Sequence, residues 1–216
     1  MQFARINFNS DPNIGLYGFA TDSYCILGFE TQHLDKIQKT LGVEVKVTSV
    51  AETAFAGIFV AGNKNGILVP KITEDYEVKR LKELGINVWT VKSDHTALGN
   101  LVLCNDKGCV ISNLLRKYKK DISECLGVEV VVGSLAKETI VGSAGRASNK
   151  GCLCHRESKE KDIQAIEKIL KVKADVGTMN FGTPFIKAGI IVNSKGMVVS
   201  DKSTGPELDR CFEVFE

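Results

Sequence analysis

The feature that most restricts how this chain can fold is a repeat. Short turn sequences recur along it: NKNG ends at Gly66, NDKG at Gly108, SNKG at Gly151 and NSKG at Gly196, with TDSY, ending at Tyr24, as a degenerate copy. The intervals are 42, 42, 43 and 45 residues. A second glycine precedes four of these turns by nine residues, at Gly15, Gly57, Gly99 and Gly142, and precedes the last by seven, at Gly189. A third marker, the leucine that closes an apolar-periodic segment, keeps the same period at Leu41, Leu84, Leu126 and Leu170. A period of this size means that each copy is one supersecondary unit, which buries its apolar face only by stacking on its neighbours.

Each unit reads the same way. An apolar strand reaches a turn of Asn, Asp and Gly, residues that tolerate positive φ and suit a hairpin, and a second apolar strand leaves it. A charged segment with one apolar stripe follows, as at Leu34, Ile37 and Leu41, or Leu208, Cys211, Phe212 and Phe215, which predicts a helix. A final strand alternates, as in Val43, Val45, Val47 and Val128, Val130, Val132. The unit is β-β-α-β, and the copies span about 13–51, 55–93, 97–136, 139–180 and 185–216 of a single domain, 1–216. The fifth helix, starting near Pro206, runs to the end of the sequence, so the fifth unit lacks its own last strand. The alternating Ala4, Ile6 and Phe8 have no other assignment, so residues 1–9 are expected to complete that unit. Closure in this manner removes the exposed end units that a linear stack would have to cap. The expectation is an α/β ring of five blades with pseudo-fivefold symmetry.

Composition narrows the functions open to such a ring. Apolar and charged fractions of 44% and 25% are those of an ordinary globular protein. At 216 residues it can bury about 70% of its unfolded surface without a metal or disulfide to support the core. A net charge of +2 with dispersed signs excludes binding to nucleic acid by backbone neutralisation alone. The opening MQFARINFNSDP is no secretory signal and no apolar run approaches the ~20 residues of a membrane span, so a soluble, cytoplasmic protein is expected. The seven cysteines, Cys25, Cys104, Cys109, Cys125, Cys152, Cys154 and Cys211, then read as reduced thiols.

Local motifs weigh little against the repeat. CLCH, Cys152 to His155, offers soft metal ligands, but Cys152 matches Cys25, Ile67, Cys109 and Met197 in the other units, and Cys154 matches Leu27, Val69, Ile111 and Val199. These are core positions of a strand, so neither a metal nor a cofactor is expected. A Cys–His nucleophile pair could form from His33, His95 or His155, yet most cysteines hold apolar repeat positions. Gly142 to Gly151, GSAGRASNKG, fits no phosphate-loop pattern. Charged runs such as EDYEVKRLKE read as solvated faces of outer helices. What remains is the residue after each unit's first glycine: Leu16, Ile58, Asn100, Ser143 and Ile190. In equivalent units these side chains form one level of the ring, either a flat contact surface or a core layer.

Several segments carry a family resemblance: ALGNLVLCNDKG, LVPKITEDYEV, SNKGCLCH, LGVEVVVGSLA and the closing AGIIVNSKGMVVSDKSTGPEL. Over essentially its whole length the chain resembles the archaeal translation initiation factor 6 family. That resemblance implies a pentein fold. It also implies a non-enzymatic factor that binds the intersubunit face of the large ribosomal subunit, through a ribosomal protein and adjacent rRNA near the sarcin-ricin loop, and blocks joining of the small subunit. A role in late large-subunit maturation goes with it, and a monomer without a DNA or membrane partner is expected. The contact face it implies here includes Asn100 and the segment Phe185 to Ile190, and Gly99, Ile58 and Ser143, at or beside the same level of the ring, are expected to join it. Eukaryotic relatives carry an Arg where this chain has Ile58, and a regulatory tail beyond the position of Glu216. The competing reading is a guanidine-modifying enzyme of the same fold, a deiminase or amidinotransferase, which would need a nucleophilic Cys, a His and acidic groups around the ring's centre.

Overall fold

In the computed structural model, which describes residues 1–216, the chain forms five three-stranded sheets arranged as blades. The first strand, β1 (Gln2–Ile6), belongs to the last blade. Blade one is β2 (Gly18–Ala20), β3 (Tyr24–Leu27), helix α1 (Leu34–Leu41) and β4 (Glu44–Val47), entered through a 3-10 turn at Ile14–Leu16. Blade two has a short entry helix α2 (Ala56–Phe59), then β5 (Ala61–Asn63), β6 (Gly66–Pro70), α3 (Asp75–Glu83) and β7 (Val88–Val91). Blade three repeats this with α4 (Leu98–Leu101), β8 (Val102–Cys104), β9 (Cys109–Ile111), α5 (Lys119–Leu126) and β10 (Val130–Val132). Blade four has α6 (Val141–Ala144), β11 (Gly145–Ala147), β12 (Gly151–His155), α7 (Glu160–Leu170) and β13 (Lys173–Gly177). Blade five has a 3-10 turn at Ile186–Gly189, β14 (Ile190–Val192), β15 (Gly196–Ser200) and α8 (Gly205–Phe215).

In every blade the first two strands pair antiparallel and the third lies parallel to the second. The third strand of blade five is β1, paired with β15 so that Ala4 faces Val198. The N-terminal strand therefore completes the fifth unit, as the pattern implies. The short entry helix of each unit is the element that period counting misses, because a single turn carries too little periodicity to register.

The core is divided among the seams between blades. Successive residues of a buried strand point to opposite faces, so Ile67 and Val69 of β6 pack with Phe19 and Ile26 of blade one, whereas Leu68 packs with Cys109 and Ile111 of blade three. Equivalent clusters join blades three and four (Leu103, Val110, Cys152), four and five (Leu153, Met197, Cys211), and five and one (Ile191, Val198, Cys25). Five seams for five blades is a closed ring.

The turns correct one expectation. Their residues do not adopt positive φ. The glycines are required instead because the next blade's outer helix presses on them: a Cβ at Gly108 would lie 2.0 Å from the Ile169 carbonyl oxygen, at Gly151 1.8 Å from that of Val214, and at Gly196 1.8 Å from that of Thr40. The asparagines staple the same seams. Asn105 Nδ2 donates to the carbonyls of Ser148 and Leu170, at 3.0 and 2.9 Å, while its Oδ1 accepts from the N–H groups of Lys107 and Gly108. Asn193 does the same to Thr21 and Leu41, both at 2.9 Å, and Asn63 to Asn105 and Leu126. Leu41, Leu126 and Leu170 end their helices, so each turn satisfies a carbonyl that a helix terminus leaves free.

Candidate functional site

The five entry turns meet around the ring axis. A Cβ at Gly57 would lie 2.1 Å from the Gly15 carbonyl oxygen, at Gly99 2.2 Å from that of Gly57, at Gly142 2.3 Å from that of Gly99, and at Gly15 1.7 Å from that of Lys187. The fifth member of this ring is therefore Lys187, nine residues before Gly196, and Gly189 is not equivalent to the other four. This shifts the level expected to follow the glycines. Leu16, Ile58, Asn100 and Ser143 are half-buried and equivalent, but Ile190 is only 1% exposed, in β14. The residue that completes the level is the half-buried Ala188. Counting back from the last glycine pair, rather than from the turn, causes the two-residue slip.

The other residues of interest sort by environment. Gly99 is buried between the carbonyls of Gly57 and Ile58. Asn100 donates its backbone N–H to Ala97, but its side-chain amide has no hydrogen bond within the chain, which a satisfied turn amide would have. Phe185 is half-buried and packs edge-on against His155, 5.4 Å between ring centres. The loops that feed the ring of entry turns carry two exposed aromatic residues that sequence patterning passes over, Phe55 and Phe181, the latter 82% exposed. Phe181 is presented by backbone with φ of 62° and clamped by Glu207, whose carboxylate accepts from the N–H groups of Phe181 and Gly182.

Between the entry turns and the hairpin turns runs a narrow axial channel. At its hairpin end Asn149 bridges two carboxylates, Asp22 Oδ2 at 2.7 Å and Asp106 Oδ2 at 2.6 Å. Burial alone would raise the Asp22 carboxyl, but the Ser194 N–H and the Asn149 amide outweigh it and hold the group below its usual range. Deeper in lie Cys104 and two buried cations, Arg146 and Lys187. No histidine lines the channel. Cys152 and Cys154 point into the blade core with their sulfurs 3.8 Å apart, and no group of three His, Cys, Asp or Glu side chains could hold a metal ion. Burial pushes the thiols of Cys25 and Cys211 up to about 12 and that of Cys125 to about 11, the wrong direction for a nucleophile.

A family model described as the eIF-6 family matches residues 3–214. The chain belongs to that family. Among similar relatives is the protein named translation initiation factor 6 of Staphylothermus marinus, 38% identical over 97% of this chain and 96% of the relative. Those of the same name from Pyrococcus horikoshii and Methanocaldococcus jannaschii are also 38% identical, over 96% and 94% of this chain and 96% and 93% of theirs. Among solved structures, a mutant of DDAH from Pseudomonas aeruginosa complexed with citrulline superposes with a TM-score of 0.55 at 10% identity, covering 98% of this chain and 87% of that one. That likeness shows the pentein fold and nothing of activity. The chain is thus a pentein ring of a translation-factor family, and the guanidine-modifying reading is not favoured. No helix is long and apolar enough to cross a membrane.

Proposed function

We propose that this eIF-6 family member acts without catalysis, as a monomer in the cytoplasm, by docking its ring of entry turns on the large ribosomal subunit and occluding the space the small subunit needs. The partner surface is a ribosomal protein of the intersubunit face with adjacent rRNA near the sarcin-ricin loop, and the same occlusion suits a role in late large-subunit maturation. The observation that carries the reading is the half-exposed level of Leu16, Ile58, Asn100, Ser143 and Ala188, in which the Asn100 amide is left without an internal partner. A mixed apolar and polar patch of this kind suits a protein contact. The net charge of +2 suits a partner that is mostly protein rather than bare rRNA.

Sedimentation of purified subunits with and without the protein tests this. The expected result is co-migration with the large subunit and fewer joined ribosomes, with Asn100→Arg weakening both by tenfold or more while unfolding at the wild-type temperature. Joining that proceeds undisturbed, with no co-migration, would sink the reading.

A further inference from the structure

Two residues break the repeat at positions facing the axis. Arg146 stands where the other blades have Phe19, Ala61, Leu103 and Ile191, and Lys187 stands where they have glycine. Both are buried, at 9% and 4% exposure, and both line the inner cavity of the channel, a space of about 20 Å³. Lys187 reaches from blade five across the axis, and its ammonium donates to the Gly99 carbonyl. Arg146 reaches from blade four toward blade one, donating through Nη2 to the Ala20 carbonyl at 3.5 Å with its guanidinium over the Phe19 ring at 5.7 Å. Its Nε–H is buried with no partner. Neither cation is in an ion pair.

A guanidinium stays protonated in proteins, so Arg146 cannot shed its charge to escape burial. A buried charge without a counter-charge is strongly unfavourable. The carboxylates at the outer mouth accept from neutral donors, Asp22 from Ser194 and Asn149 and Asp106 from the Lys64 N–H and Asn149, and neither reaches ion-pair distance of Arg146 or Lys187. The Cys104 thiol, the other titratable group in the cavity, donates to the Gly62 carbonyl at 2.9 Å. Burial, then the neighbouring guanidinium, pushes the Lys187 ammonium well below the usual lysine range, and an anion beside it would favour the charged form.

We propose that the inner axial cavity is an anion site, in which a halide-sized anion, chloride in the cell, sits between the Arg146 Nε–H and the Lys187 ammonium. The inner space, about 20 Å³, exceeds the ~10–15 Å³ that one water molecule needs and leaves room for a small monatomic anion. The site lies directly beneath the ring of entry turns, of which Lys187 is a member, and serves to hold three blades and the fifth entry turn at one point on the axis.

The test is thermal unfolding of the full chain as potassium gluconate is replaced by potassium chloride at constant ionic strength. Mass action predicts a rise of roughly 3–5 °C per tenfold chloride above half-saturation. Arg146→Met and Lys187→Met should abolish that slope, and crystals grown in bromide should show one anomalous peak beside Arg146. A midpoint indifferent to chloride, a slope that survives in Arg146→Met, or a cavity holding only water in bromide crystals would each overturn the proposal.

Discussion

Gly142→Ala is the sharpest probe of how the ring is held together. The added methyl would sit 2.3 Å from the Gly99 carbonyl oxygen and 2.5 Å from that of Val102. A close C···O contact in proteins is about 3.3 Å, so α4 and α6 would have to part by roughly 1 Å. Both opposing atoms are backbone, so no rotamer change relieves the contact. In an open stack the added width could be passed to a free end, but here it returns to the same seam through the other four. Overpacking costs about 1–3 kcal/mol, and this geometry places the substitution at or above ~3 kcal/mol. For a chain of this size that lowers the unfolding midpoint by about 6–12 °C. Gly205→Ala is the control: nothing lies within 4 Å of its Cβ position at the start of α8, so replacing it should be neutral or stabilise by up to ~1 kcal/mol. Urea and thermal unfolding of the two variants, read by circular dichroism, decide the matter. Gly142→Ala within about 0.5 kcal/mol of wild type, where ordinary surface substitutions fall, would refute the close-approach account of the axial glycines.

Two further outcomes follow from the titratable groups. Burial would raise the Glu207 carboxyl, but the N–H groups of Thr204, Gly182 and Phe181 and the Thr178 hydroxyl outweigh it and hold the group below the usual carboxylate range. A depressed carboxyl stabilises the fold above its unfolded pKa and loses that contribution as pH falls through the folded value. Glu207→Gln should therefore cost about 2 kcal/mol at pH 7, and the gap from wild type should close below about pH 4 in chemical denaturation; a gap that is constant with pH would contradict the clamp. For the thiols, the six buried cysteines of the native protein should be silent toward a disulfide reagent at pH 8, Cys104 being the one that is not fully buried, and all seven should react when the chain is denatured. Rapid native labelling at Cys25 or Cys152, followed by peptide mapping, would reopen the enzymatic reading.

The ring was legible because its strands are buried on both faces and its turns need particular residues at fixed intervals. Cys152 and Cys154 show how far the repeat reaches: their counterparts Cys25, Ile67, Cys109, Met197, Leu27, Val69, Ile111 and Val199 are all fully buried. What patterning misread was the reason for those residues. Gly108 and Asn105 suit a hairpin by composition, yet both serve the neighbouring blade, a partner more than sixty positions away in the sequence. The axial level was mostly legible, and failed at Ile190 because Gly189 is a plausible marker whose offset from the turn differs by two. Arg146 departs from the repeat in the sequence itself and Lys187 is masked by the plausible Gly189, but a charged residue in an apolar column acquires meaning only once the column is known to face an axis. Phe181 had no signal, since its exposure follows from how Glu207 holds one loop.

The pairing of β1 with β15 also sets a timetable. Gln2 to Ile6 are made nearly 200 residues before their partners Gly196 to Ser200. At about 5–20 residues per second, roughly 10–40 s separate the emergence of the two strands. Throughout that interval the first four blades can assemble in order, each on the one before, while β1 waits as an unpaired edge beside blade one. The ring cannot close until β15 has emerged. Its last seams form together only then, so the slow step in folding should be the capture of a strand the chain has carried through four blades.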